Sequence, residues 1–192
     1  LFDFKEEIAM TKVNVAVLVG SLRKDSFNHK VALGLNAVTP DDMALTIVEI
    51  GDLPLYNPDL DTDAPPAAWK RFRAEVNKAN AVLFVTPEYN RSVPGGLKNA
   101  LDVGSRPYGQ SVWSGKPAAI ISGSPGNISA FGANHHLRQS LVFLDMPTLQ
   151  QPEAYLAHVD KLLDESGKLV PDTAKFLGEF LKAFDRFAQK NL

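Results

Sequence analysis

Apolar residues along the chain gather into four short runs: VNVAVLV (13–19), ALTIVEI (44–50), AVLFVTP (81–87) and PAAIISGS (117–124). The first, third and fourth are almost continuously hydrophobic, as strands covered on both faces are. ALTIVEI alternates, which predicts a strand nearer the sheet edge. Helix-period segments separate the runs. One begins near Phe27, one spans about 66–78, one starts at Pro94, and a fourth covers ANHHLRQSLVFLD. Pro66 and Pro94 suit a first helical turn, where a missing N–H costs nothing. PTLQ (147–150) reads as a short fifth strand, and EAYLAHVDKLL and DTAKFLGEFLKAFDRFAQK as two closing helices.

Strands that alternate with helices imply right-handed crossovers and a parallel sheet. The expected fold class is therefore α/β: a flavodoxin-like three-layer sandwich, with a five-stranded parallel sheet in order 2-1-3-4-5 and helices on both faces. Such sheets bind ligands beyond the carboxyl ends of the strands, near the switch between strands 1 and 3. No repeat, low-complexity tract or linker marks a boundary, so residues 11–192 read as one domain after an N-terminal arm over 1–10. The opening LFDFKEEIAM carries Asp3, Glu6 and Glu7 and lacks a basic n-region and an apolar h-region, unlike a secretory signal. Met10 reads as the natural start, with Leu1 through Ala9 a foreign remnant or a loose arm.

Composition narrows the functions. A chain of 192 residues, 45% hydrophobic and 22% charged, has the balance of one globular domain with a sizeable core. A formal net charge of −2 gives no reason to expect nucleic acid. No apolar run approaches the roughly 18 residues of a membrane helix, and a cytoplasmic location is expected. Cysteine is absent, which excludes disulfides, thiol redox chemistry and cysteine-ligated metal. Any redox function then needs a bound cofactor.

The chemistry should lie in the loops after strands 1, 3 and 4, all unusually polar or glycine-rich. In the first, GSLRKDSFN, Gly20 permits a tight turn, and Ser21, Arg23, Ser26 and Asn28 offer donors. The helix starting near Phe27 aims its free N–H groups at the same place, which suits a phosphate monoester. The loop lacks Gly-x-Gly-x-x-Gly and Gly-Lys-Ser/Thr, so neither a tight dinucleotide site nor a nucleoside-triphosphate loop is indicated. The competing reading is a helix end capped by Ser26 with Arg23 solvated. In the second loop, TPEYNRSVPGG, Pro87 fixes the exit from the strand, and Tyr89 and Asn90 present an aromatic face and an amide. A planar heterocycle needs both. Ordinary loop polarity at Glu88, Asn90 and Arg91 is the alternative. The third loop, SGSPGNISAFG, adds Ser124, Gly126 and Asn127, placed either for backbone approach to a ring or simply for a turn.

GSLRKDSFN, TPEYNRSVPGGLKNALD, SRP, GKPAAI and HLRQSLVFLD together resemble the NADPH-dependent FMN reductase family, and within it the bacterial quinone and chromate reductase branch. The likeness runs from Val13 to about Glu153. It implies an FMN-dependent NAD(P)H oxidoreductase with ping-pong hydride transfer. Quinones would be the acceptors, with chromate or other metal oxyanions, dyes or free flavin as further ones. It implies an FMN phosphate held by Ser21, Arg23, Ser26, Phe27 and Asn28. The isoalloxazine would be bordered by Pro87, Glu88, Tyr89 and Asn90, with Ser122, Gly123, Ser124 and Gly126 on its other side. NADPH or NADH would be the donor, a small molecule the acceptor, and the assembly a homodimer or homotetramer. No side chain need act as a nucleophile; Tyr89 and Arg106 are candidate substrate contacts, with a surface salt bridge the plainer role for Arg106.

Other conspicuous residues carry less. Adjacent His135 and His136 do not face one another on a helix, and His29 and His158 lack partners at ligand spacing, so no metal is expected. Trp69, Trp113 and the phenylalanines of KFLGEFLKAFDRF read as core or subunit contacts. NPDLDTD (57–63) reads as a solvated loop long enough to serve as a lid. The rival classes are a flavodoxin-like electron carrier, which would be strongly acidic with a threonine-rich phosphate loop, and a non-catalytic module, against which the intact first loop counts.

Overall fold

The computed structural model describes residues 12–192; the arm expected over 1–10 lies outside them. Five strands form one parallel sheet in the order β2-β1-β3-β4-β5, as the alternation of patterns predicts. β1 (Val13–Val19), β3 (Ala81–Thr86) and β4 (Ala118–Gly123) are buried almost throughout, whereas β2 (Met43–Ile47) is the half-exposed edge. The right-handed crossovers place α1 (Phe27–Gly34) and α5 (Pro171–Gln189) on one face. They cover the inward side chains of Val13, Val15, Val17 and Val19. α2 (Ala67–Asn77), α3 (Gly95–Gly104) and α4 (Phe131–Phe143) cover the other, against Ala16, Leu18, Val82 and Phe84.

Each helix follows from its apolar spacing. Trp69, Phe72 and Val76 of α2 point inward, as do Leu177, Phe180, Leu181, Phe184 and Ala188 of α5. Phe180 and Phe184 are fully buried, each worth about 1.5–3 kcal/mol in the transfer sense, while Phe176 reaches solvent. Trp69 and Trp113 are core residues, with indole N–H groups donating to the carbonyls of Pro54 and Leu101. Pro66 and Pro94 sit just before their helices, one position ahead of the first turn.

Two expectations need correction. The fifth strand is Ala154–Leu156, paired with Ile121, Ser122 and Gly123 of β4. PTLQ makes only an isolated bridge, between Thr148 and Ala118. The two segments run along one flank of β4, interrupted where Pro152 has no N–H for the ladder. EAYLAHVDKLL, read as a helix, is this strand followed by left-handed His158 and a single 3₁₀ turn, Val159–Lys161. The NPDLDTD segment is exposed over most of its length, as expected of a solvated loop, but it is anchored at Asp61. The carboxylate of Asp61 accepts two hydrogen bonds from Arg73 at 2.9 Å, with both side chains largely buried. Arg73 also donates to the carbonyl of Val103 and lies 5.6 Å from the Trp69 ring centroid, so the loop is strapped to α2. Among the described residues no helix is long and apolar enough to cross a membrane.

Candidate active site

The three polar loops meet at the carboxyl ends of β1, β3 and β4. Gly20 ends β1 because nothing larger fits: a Cβ there would stand 2.5 Å from Thr86 Oγ1, and its N–H already donates to the carbonyl of Val85. The chain then turns through Ser21 and Arg23 into α1. Ser26 caps that helix, its hydroxyl accepting from the N–H of His29 at 3.1 Å. Capping leaves the Ser26 hydroxyl proton free to donate, so the two readings of this loop coexist. The first-turn N–H groups of Phe27 and Asn28 have no acceptor within the helix. Arg23 is exposed.

Asn28 is buried and turned toward the third loop, where its amide donates to the carbonyl of Gly123 at 3.1 Å. A Cβ on Gly123 would come within 3.3 Å of Asn28 Oδ1, so the close approach of α1 to β4 depends on that glycine. The second loop is a tight turn. Tyr89 and Ser92 exchange both backbone hydrogen bonds at 3.0 Å, and Asn90 and Arg91 between them are left-handed, with φ of 51° and 66°. Asparagine accepts that conformation readily, whereas arginine is held there at a cost.

Glu88 is turned onto the start of α4. Its Oε2 accepts from the N–H of Ala133 at 3.1 Å, in the first turn of α4, while Oε1 accepts from Arg91. The carboxylate thus satisfies a helix N-terminus and complements its dipole. Ser122 is likewise committed: it is fully buried, and its hydroxyl accepts from Asn134. Ser124 donates to the carbonyl of Gly126, and a Cβ on Gly126 would meet nothing closer than 3.9 Å. Tyr89 remains half exposed at the rim. Arg106 stands at the other end of α3, about 15 Å of helix from the second loop. There it lines a cleft of about 630 Å³ between α3 and α4, together with Tyr56 and His136.

Sequence reasoning missed the residues that hold the loops in place. Asn134, buried on α4, donates to Ser122 and accepts from Arg138, which donates to the carbonyl of Leu149. His136 Nδ1 lies 3.0 Å from the Ser92 hydroxyl, joining α4 to the second loop. On the β5 side, Tyr155 donates to Glu153 and lies 2.9 Å from His135 Nε2. Burial, and then the bond to Glu153, push its phenol up to about 12. Among the described residues no cluster of acids and histidines could hold a metal ion.

The residues present suit FMN. Asn28 Oδ1 is the one buried side-chain acceptor without a partner among the described residues, and a ribityl hydroxyl would supply its donor. The first turn of α1, with the Ser21 and Ser26 hydroxyls and Arg23, supplies donors for the phosphate. The open outer side of Gly126 leaves room for a ring or sugar chain.

The family profile of NADPH-dependent FMN reductases matches residues 13–161. A quinone reductase of Pseudomonas putida is 62% identical over 93% of this chain and 96% of its own length. A 2-hydroxy-1,4-benzoquinone reductase of a Burkholderia species is 47% identical over 90% of this chain and 94% of its own. Among solved structures, FerB, a flavoenzyme NAD(P)H:(acceptor) oxidoreductase from Paracoccus denitrificans, superposes with a TM-score of 0.87 at 43% identity, covering 93% of this chain and 98% of that one. The chain belongs to the NADPH-dependent FMN reductase family and is an oxidoreductase working with FMN and NAD(P)H.

Proposed function

We propose that this oxidoreductase reduces quinones. The observation that carries the reading is the tying together of the three carboxyl-end loops by the Asn28–Gly123 and Glu88–Ala133 hydrogen bonds, in a chain similar to quinone reductases over nearly its whole length. FMN, when bound, supplies the redox chemistry by accepting a hydride from NAD(P)H and passing the electrons on to the acceptor. Ser21, Arg23, Ser26 and the N–H groups of Phe27 and Asn28 would hold its phosphate. The backbone of residues 87–90 would border its ring, and that of residues 122–126 would lie on the other side. Glu88 and Ser122 act in this scheme by fixing those backbones. Tyr89, half exposed, is placed to contact whichever planar substrate enters. Arg106 could serve an anionic acceptor, chromate included, only from the far end of α3.

The proposal extends to a homodimer or homotetramer in the cytoplasm, to be checked by sedimentation and by cell fractionation. The activity is tested by mixing the FMN-loaded protein anaerobically with NADPH and then with a benzoquinone. Rapid bleaching by NADPH and rapid return of colour with the quinone are expected, with parallel double-reciprocal plots at steady state. Slow bleaching would leave an electron carrier; fast bleaching with no return on quinone addition would refute the acceptor.

A further inference from the structure

The first loop has a second flank. A cavity of about 350 Å³ lies between residues 21–24, the first turn of α1 and the segment leaving β2. β2 and β3 pair with β1 from opposite sides, so this cavity lies on the side of the loop away from the Tyr89 turn. Leu22 forms the ridge beside it. Its Cδ2 is 3.3 Å from where a Cβ on Gly51 would stand, and its Cδ1 3.2 Å from the corresponding point on Gly96. One side chain thus spans from the exit of β2 to the start of α3.

Val19, Ile47 and Ile50 give the cavity an apolar floor, and Arg23, Lys24 and His29 bring nitrogen donors to its rim. The side chains of these three make no hydrogen bond or ion pair among the described residues. Glu49 is the one acid of the lining. Its Oε1 accepts from the N–H of Gly51 at 2.6 Å, and its Oε2 accepts from no donor among the described residues. Single lysines at a surface are ordinary. Two cations and an imidazole around an apolar hollow of small-ligand size suit an anion whose remainder is flat and apolar.

We propose that this cavity receives the adenosine 2′-phosphate of NADPH and so sets a preference for NADPH over NADH. The two donors differ only in that phosphate monoester, and an arginine is the usual means of accommodating it. Arg23 and Lys24 pair with the phosphate, and His29 adds a further donor. The adenine lies on Val19 and Ile50, with its exocyclic amine donating to Glu49 Oε2. Arg23 then stands between this phosphate and that of FMN and neutralises part of each. The site belongs to the donor half of the reaction, and it stands whether or not a quinone is the acceptor.

The test mixes the FMN-loaded protein anaerobically with increasing NADPH or NADH, and flavin bleaching gives an apparent Kd for each. The parent should bind NADPH roughly tenfold or more tightly than NADH, the worth of a charged hydrogen bond. Adenosine 2′,5′-bisphosphate should compete with NADPH far better than 5′-AMP does. Lys24→Glu, at an exposed residue, should abolish most of the preference by weakening NADPH, with FMN retained as in the parent. Lys175→Glu, the same change of charge on the exposed side of α5, should keep the parent's ratio. A parent that does not distinguish the two donors, or equal competition by the two nucleotides, would overturn the site. So would a Lys24→Glu protein that keeps the parent's ratio or loses FMN instead, or a Lys175→Glu protein that changes the ratio as much.

Discussion

Arg23 is the residue whose role is most directly testable. It is an exposed cation at the mouth of the first loop, with no buried contact to lose. Arg23→Ala should therefore leave thermal unfolding of the apoprotein unchanged and weaken FMN binding roughly ten- to a hundredfold, the worth of a charged hydrogen bond to phosphate. Flavin fluorescence titration measures this. Glu88→Ala should behave differently. It removes the acceptor from an α4 N–H and a charge from its positive end, at a cost of about 1–2 kcal/mol in urea unfolding of the apoprotein. Comparing the two separates a ligand contact from a residue that only places one. The sequence assigned Arg23 to a phosphate and Glu88 to the edge of a ring, but it carries no sign that the Glu88 carboxylate is taken up by α4. Which way a carboxylate turns depends on a helix start that is 45 positions away in the chain. Ser122 was opaque for the same reason: its partner Asn134 lies across the β4–α4 connection.

At the scale of elements, continuous apolar runs made β1, β3 and β4 legible, and the 3.6-residue spacing did the same for α2 to α5. β5 was not legible. A three-residue strand has no periodicity to read, and the leucines that follow it mimic a helix face. What defines it is pairing to β4, a contact no local pattern carries. The junction of β1 with β3 gives the sharpest prediction here. Gly20→Ala would drive a methyl group to 2.5 Å from the hydroxyl of buried Thr86, which has little room to move. A loss of about 1–3 kcal/mol is expected in urea denaturation, with the loop after β1 displaced and FMN bound more weakly. The strap at Asp61 should be costlier. Asp61→Ala leaves the largely buried Arg73 guanidinium without its counter-charge, a loss of about 3–5 kcal/mol.

For the whole molecule, the balance of stability with pH carries the mark of α5. Burial raises the carboxyl of Asp185 above the ordinary aspartate value of 3.8, and nearby Asp42 adds to the rise. The bond from Gln189 and the charge of Arg186 oppose it. The folded state therefore binds this proton more tightly than the unfolded one. Its contribution to stability is greatest at acid pH and falls as pH rises from the unfolded value through the raised folded one. Asp185→Asn should then be more stable than the parent at pH 7, with the gap closing as the pH is lowered toward 4. Urea unfolding across that range checks it; a gap independent of pH would refute the assignment. Asp185 lies near Asp42, which precedes β2 at the amino end of the sheet, opposite the carboxyl-end loops, so this substitution should leave the catalytic rate untouched.

The Glu88–Ala133 hydrogen bond bears on how the proposed active site could be transplanted. A designer moving the Tyr89 loop onto another scaffold would carry across a turn whose foundation lies in a different segment of the chain. Grafted alone, the peptide would lose its anchor, and its two left-handed residues would relax. The smallest portable unit is the loop together with the whole of α4, and any lineage that recombined one without the other would have had to rebuild the missing half.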